Sequence, residues 1–444
     1  SVYNEEKHGA SVMKTKNKSV VKREKPLKNK IRLHSDRPQI ADNESLPEAE
    51  KSGSETTGKP VEVCVGSFSS PEKYAGVPDG GEVIFCGDEY CPKKFRDVAF
   101  SHYRMHEIAT REGAQVVRSG FLAVIAAGGK KATENGKIAA LGTGLPLVVF
   151  AFDPGYIGYG DRVFETTERD GSVTVRAAEG KIKIVFDPSV SCDPDRVAAG
   201  YGAICTSLVY LFEKEVRSVL SREKYDRKVA AEVLKVVAAA IKAETVSSPS
   251  EAVIRGIAAL TGIFAGERFM GGESVARVAE LLKKRKSREE NAAFLCRETL
   301  CVYRLVMRLI TPAVRVPDVN ARLDFMAKRF GISPVVLTKN LGGYVPAGEL
   351  ARKIYCVREF APDLDVKAAA YLGILDFAFK RFKRLYKDRG FSYNGYVRAE
   401  EKKLCFALAP DVGSAFTLLD LARETGLTDA LIQRKTDERI AQKN

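Results

Sequence analysis

GFLAVIAAGGKKATENGK, residues 120–137, decides the fold of this 444-residue chain. Residues 122–126 form an apolar run that is too short for a helix and is followed by glycines, so they read as a buried strand. Gly128 and Gly129 make a turn, and residues 132–141 return to helical periodicity. Strand, glycine turn and helix together are the unit from which helix-covered parallel sheets are built. Working outward, strands are expected at 61–65, 82–86, 115–118 and 147–152, with a helix over 92–112. A hairpin follows, 162–168 and 172–177 joined through Asp170-Gly171, and 181–186 is one more strand.

After Asp187 the strand signals fade. Helices are expected at 195–221, 227–244, 251–264, 274–286, 289–310, 319–330, 364–387 and 414–425. The fold class is therefore α/β, a parallel-sheet domain at 61–190 followed by an all-α domain at 191–432. A basic, low-complexity extension (1–60) and a short tail (433–444) flank them.

Composition narrows the function. Apolar stretches such as 146–152 fall far short of the roughly 20 residues that cross a bilayer, so no transmembrane segment is expected. Nine scattered cysteines, an odd number, read as thiols of a reducing compartment. All four histidines (His8, His34, His102, His106) lie in the first 106 residues, which denies a histidine ligand or base to the remaining 338. The net charge of +14 is concentrated in residues 13–32. There Lys14, Lys16, Lys18, Lys22, Arg23, Lys25, Lys28, Lys30 and Arg32 face one acid, Glu24, for a local +8. Such an arm has no apolar period with which to bury itself, and a polyanion is its simplest partner.

Three constellations are candidate sites. At residues 126–131 glycines would let backbone amides approach a phosphate at a helix N-terminus, although a ligand-free βα turn reads equally well. Cys86, Cys91, His102 and His106 approach a two-cysteine, two-histidine zinc finger, but a strand ending at Cys86 and a helix carrying His102 would hold the pairs apart. In 377–389, Lys380, Arg381, Lys383, Arg384, Lys387 and Arg389 interleave with aromatics, of which Phe379, Phe382 and Tyr386 recur at core-facing helical spacing. A second basic cluster stands at Lys283-Lys284-Arg285-Lys286.

In order and spacing, four segments resemble one family: 120–137, LPLVVFAFDPGYIG at 145–158, KIVFDPSVSCDPDRVAAGYGA at 183–203, and FTLLDLARETGL at 416–427. They look like the dehydroquinate synthase-like superfamily, most like sn-glycerol-1-phosphate and iron-containing alcohol dehydrogenases. The resemblance implies a Rossmann-like NAD(P) domain, a helical domain, and a divalent metal held by one aspartate and two histidines that would polarise a substrate hydroxyl. Gly128 and Gly129 match the nucleotide turn, Lys130 replaces its third glycine, Glu134 and Lys137 match its acid and lysine, and Asp153 sits in the substrate loop. At the three ligand positions stand Ala203, Ser274 and a histidine-free stretch, 289–292.

From this the sequence leads to the expectation of a catalytically inactive homologue, not an enzyme. It would serve as a structural subunit of an organellar ribonucleoprotein, a mitochondrial ribosome first, in the mitochondrial matrix or otherwise the cytoplasm. RNA, ribosomal RNA foremost, and neighbouring proteins would be its partners, with no small-molecule substrate. No cofactor is expected, with NAD(P) as a retained structural ligand the variant. The alternatives are an active NAD(P)-dependent polyol-phosphate dehydrogenase, with Asp153, Asp187 or Glu273 as ligands, and an accessory subunit of a respiratory complex.

Overall fold

The computed structural model describes residues 61–110, 120–167, 173–178, 180–221, 224–242, 249–267, 269–282, 288–310, 318–331, 347–385, 399–412 and 416–428. Its centre is β4 (Ala123–Gly128), buried at every position because both faces of the sheet are covered. The alternation shows within it: Val124 and Ala126 join one apolar cluster, while Ala123, Ile125 and Ala127 join the other. Around it lie β1 (Val61–Val65), β2 (Glu82–Gly87), β3 (Arg104–Glu107), β5 (Leu147–Ala151) and β8 (Ile182–Phe186). The order is β1-β8-β5-β4-β2-β3, with every pairing parallel. β6 (Val163–Thr167) and β7 (Val173–Ala177) form the separate antiparallel hairpin.

Helices cover the sheet. A one-turn α1 (Glu72–Ala75) precedes β2, and α2 (Lys93–His102) buries Phe95 and Ala99 against Phe85, Phe150 and Phe152 on one face. The helix α3 (Lys130–Thr143) packs on the other, where a Cβ on Gly136 would lie 2.9 Å from the Ala126 side chain. Beyond the sheet come α4 (Pro194–Ser221), α5 (Arg227–Lys242), α6 (Pro249–Ile263), α7 (Glu273–Leu281), α8 (Arg288–Leu309), α9 (Val319–Phe330), α10 (Ala347–Leu385), α11 (Ala399–Val412) and α12 (Leu418–Glu424). Pro194 opens α4, where a missing N–H costs nothing, and Asp193 Oδ1 accepts the Asp195 N–H at 2.7 Å. Apolar on most sides, α4 runs through the helical layer in contact with α5, α6, α8 and α10.

The expected α/β class with a Rossmann-like parallel sheet and a helical C-terminal region is what the chain forms. Three element readings are corrected. The helix expected over 92–112 stops at His102 and gives way to the edge strand β3, whose exposed Arg-Met-His-Glu lacks an apolar alternation. The helix expected over 364–387 begins instead at Ala347 and includes Pro362. Helix α11 had no counterpart in the sequence reading. The strand expected at 115–118, the Asp170-Gly171 turn, the 283–286 cluster and residues 1–60 lie outside the described residues. Among the described residues no helix is long and apolar enough to cross a membrane.

Candidate functional site

From β2 the chain moves to β3 on one side and then returns to β4 on the other, so strand order reverses between β2 and β4. Ligands of open α/β sheets bind in the crevice outside the carboxyl ends at such a point. A cleft of about 400 Å³ opens there, lined by Asp88, Tyr90, Lys130, Lys131, Glu134, Asn135, Asp153 and Arg196 among others.

Each wall has a local cause. Gly128, at φ +143°, ends β4; a Cβ there would fall 2.0 Å from Asp88 Oδ1. Gly129 carries no capping side chain for α3, and Asp88, just past β2, fills that role across the strands. Its Oδ2 accepts the N–H groups of Gly129 at 2.9 Å and Ala132 at 3.0 Å, and its Oδ1 that of Tyr90 at 3.0 Å. Desolvation pushes the Asp88 carboxyl above its ordinary range, and the three amide bonds work against that rise.

Across the cleft, Asp153 follows β5 and is 2% exposed. Its Oδ1 accepts from Gly155 N at 2.8 Å and from Arg196 Nε at 2.7 Å, while Arg196 Nη2 donates to Oδ2. Arg196 sits in the first turn of α4, and its guanidinium lies 5.3 Å from the Tyr90 ring centroid. Desolvation, the largest influence on Arg196, lowers its pKa, but the hydrogen bonds and charge of Asp153 outweigh it and hold the group above its ordinary value. Buried Tyr159 ties the two walls, its hydroxyl lying 3.0 Å from the Gly128 carbonyl and accepting the Asp153 N–H at 3.0 Å.

Of the residues picked out from sequence, Lys130, Glu134 and Asp153 line this cleft, and a Cβ on Gly129 would lie 2.9 Å from the Tyr90 side chain and 3.0 Å from that of Asp153. Lys137 is buried away from it, donating to the Gly158 carbonyl at 2.6 Å. Asp88, Tyr90, Asn135 and Arg196 were missed. On α10, Lys380 is exposed and Phe379 packs against the core; Tyr386, Lys387 and Arg389 lie outside the described residues. The zinc-finger constellation is spread out: Cys86 is buried in β2, His102 ends α2 beside Asp79 and Glu72, and His106 in β3 faces Phe121 at 5.6 Å. All nine cysteines are free thiols.

The residues present do not fit the divalent metal implied by the resemblance. Ala203 and Ser274 are both buried, at 1% and 8% exposure. Around them carboxylates are committed to packing: Glu213 accepts from Gly272 N at 3.0 Å and Tyr303 Oη at 2.5 Å, and Arg288 pairs with Glu273 and Glu280. Asp187 accepts from Phe68 N and Ser189, and Asp153 holds Arg196. Among the described residues no three of His, Cys, Asp and Glu gather as a ligand set.

No protein-family model and no curated protein matches the sequence. Solved structures do. The maleylacetate reductase of Rhizobium sp. strain MTP-10005 aligns at 14% identity and TM-score 0.50 over 85% of this chain and 96% of its own. A 1,3-propanediol oxidoreductase gives 14% and 0.50 over 85% and 98%. An iron-containing alcohol dehydrogenase from Corynebacterium glutamicum ATCC 13032 aligns at 15% and 0.46 over 83% and 94%. The expectation that the chain is not an enzyme is corrected by these neighbours: the maleylacetate reductase and the 1,3-propanediol oxidoreductase that share its fold are enzymes. The chain has the fold of maleylacetate reductase and of 1,3-propanediol oxidoreductase.

Proposed function

We propose that the cleft binds an adenine dinucleotide of the NAD type and that the chain is an oxidoreductase acting on a small hydroxyl or carbonyl compound. The observation that carries this reading is Asp88, a carboxylate at the carboxyl end of β2 beside the glycine turn that ends β4. An acid so placed suits the paired hydroxyls of an adenosine ribose and repels a 2′-phosphate. The oxygens of Asp88 accept the Gly129 and Ala132 amides; if ribose hydroxyls took their place, those amides would be free to donate to the pyrophosphate. The dinucleotide supplies the hydride chemistry, while this chain's residues bind and orient it. The test is a titration of the full chain with NADH and NADPH, read by nicotinamide fluorescence. NADH should bind about ten-fold more tightly, and Asp88→Ala should erase that preference. If neither coenzyme saturates, the reading fails.

A second reading rests on the +8 arm: contact with RNA, and with it residence in a mitochondrial ribonucleoprotein. The structural neighbours lend it no support, so it stands on charge alone. RNA affinity that falls steeply with salt, and falls further when residues 1–60 are deleted, is the expected result. A truncated chain that binds equally well removes the arm from consideration.

A further inference from the structure

We propose that Arg196 is a fixed oxyanion receptor, taking a carboxylate or phosphate group of a ligand in the cleft. Its guanidinium has two usable edges. The Nε–Nη2 edge is spent on Asp153, which is itself held by the Gly155 N–H. Stacking on Tyr90 fixes the plane from the side. The remaining edge carries Nη1, which makes no hydrogen bond among the described residues, and Arg196 lines the cleft with its side chain 19% exposed. A guanidinium immobilised on one edge and open on the other matches the paired oxygens of a planar carboxylate or of a phosphate.

A second side chain points the same way. Asn135, on α3, also lines the cleft and is 2% exposed, yet its Nδ2 has no hydrogen-bond partner. A buried amide donor without an acceptor is costly, and an oxyanion in the cleft supplies one. Lys130 and Lys131 line the cleft together with Glu89 and Glu134, the Asp153 carboxylate is paired with Arg196, and three backbone amides occupy Asp88. The cationic donors that face a ligand are Arg196 and the two lysines. The receptor does not depend on the dinucleotide reading, since its donors are side chains rather than the amides that Asp88 covers.

Calorimetric titration of the full chain with pyrophosphate and, separately, malonate tests the proposal. Saturable binding of at least one is expected, weakened about ten-fold by Arg196→Lys, because an ammonium cannot hold Asp153 and present a second edge together. Asn135→Ala should weaken it about three-fold without disturbing the Arg196–Asp153 pair, which keeps the test meaningful should the arginine variant misfold. Binding of malonate alone assigns a carboxylate, and binding of pyrophosphate alone a phosphate. No binding of either, or equal binding by both variants, overturns the receptor. NADH binding without oxyanion binding also overturns it and leaves the function above intact; oxyanion binding without NADH does the reverse.

Discussion

At the scale of single residues, Gly128 and Asp88 define each other. The glycine is required by its φ of +143° and by the carboxylate that occupies the place of a Cβ, while the aspartate caps a helix whose own N-terminal residue has no side chain. Gly128→Ala should therefore cost about 2–3 kcal/mol through strain and loss of the cap. In the double variant with Asp88→Ala the clash term vanishes, so the two losses measured by urea unfolding should sum to more than the combined loss. Simple additivity would mean that the Asp88 carboxylate does not occupy the place of a Cβ on residue 128. This contact also shows what the sequence did and did not reveal of the site. Gly128, Gly129, Lys130 and Glu134 were legible because they are contiguous with a strand-turn-helix pattern. Asp88 and Arg196 were not, because their roles come from partners 41 and 43 residues away, brought near by strand order rather than by local spacing.

Among elements, legibility followed burial. The core strands β4, β5 and β8 were readable to within two residues because two covered faces demand a continuous apolar run, whereas the exposed edge strand β3 gave no such pattern. The helical layer hides charges that periodicity does not foresee. Arg322 of α9 and Arg423 of α12 both reach Asp411 at the end of α11, and all three are nearly buried. Arg322→Met should cost about 3–5 kcal/mol by leaving the Asp411 charge without its closest partner, a loss measurable by thermal or chemical unfolding. Two carboxylates in this layer titrate in opposite senses. Asp365 accepts hydrogen bonds from Arg304 at 2.6 and 2.9 Å and from Arg308 at 3.0 Å, which lower its pKa from 3.8 to about 2. Its contribution is complete above pH 4 and is lost as pH falls toward 2. Because the group is partly solvated, Asp365→Asn should cost only about 1 kcal/mol at pH 7. Asp420, in the capping box with Thr417, is pushed by desolvation up to about 6. The folded chain thus holds that proton more tightly than the unfolded one, and stability is lost as pH rises from about 4 to about 6. Asp420→Asn keeps an acceptor for Thr417, so it should be more stable than the parent at pH 7 and converge with it near pH 4.

For the molecule as a whole, the decisive fact is that one apolar cluster runs from the sheet into the helices. Ile84, Val124, Val149 and Ile184 of the sheet belong to it together with Leu208 of α4, Ile257 of α6, Val278 of α7 and Leu375 of α10. Helix α6 lies against β1 and β8, and the chain just beyond it bridges back, Gly266 accepting the Arg162 N–H at 3.4 Å and pairing with Asp161. The Arg196–Asp153 pair adds a charged tie between α4 and the loop after β5. If the helices came away, one face of the sheet would be stripped to water, at about 25 cal/mol for each Å² of apolar surface, which no sheet of this size could sustain alone. Sheet and helices should therefore unfold together. In urea the far-ultraviolet signal of the helices and the fluorescence of the chain's sixteen tyrosines should trace one transition with a common midpoint. Two separated midpoints would mean that the shared cluster does not couple the layers. A ligand in the cleft, touching Asp88 and Lys130 on the sheet side and Arg196 on α4, should then raise that single midpoint rather than split it, because it binds only where both walls are in place.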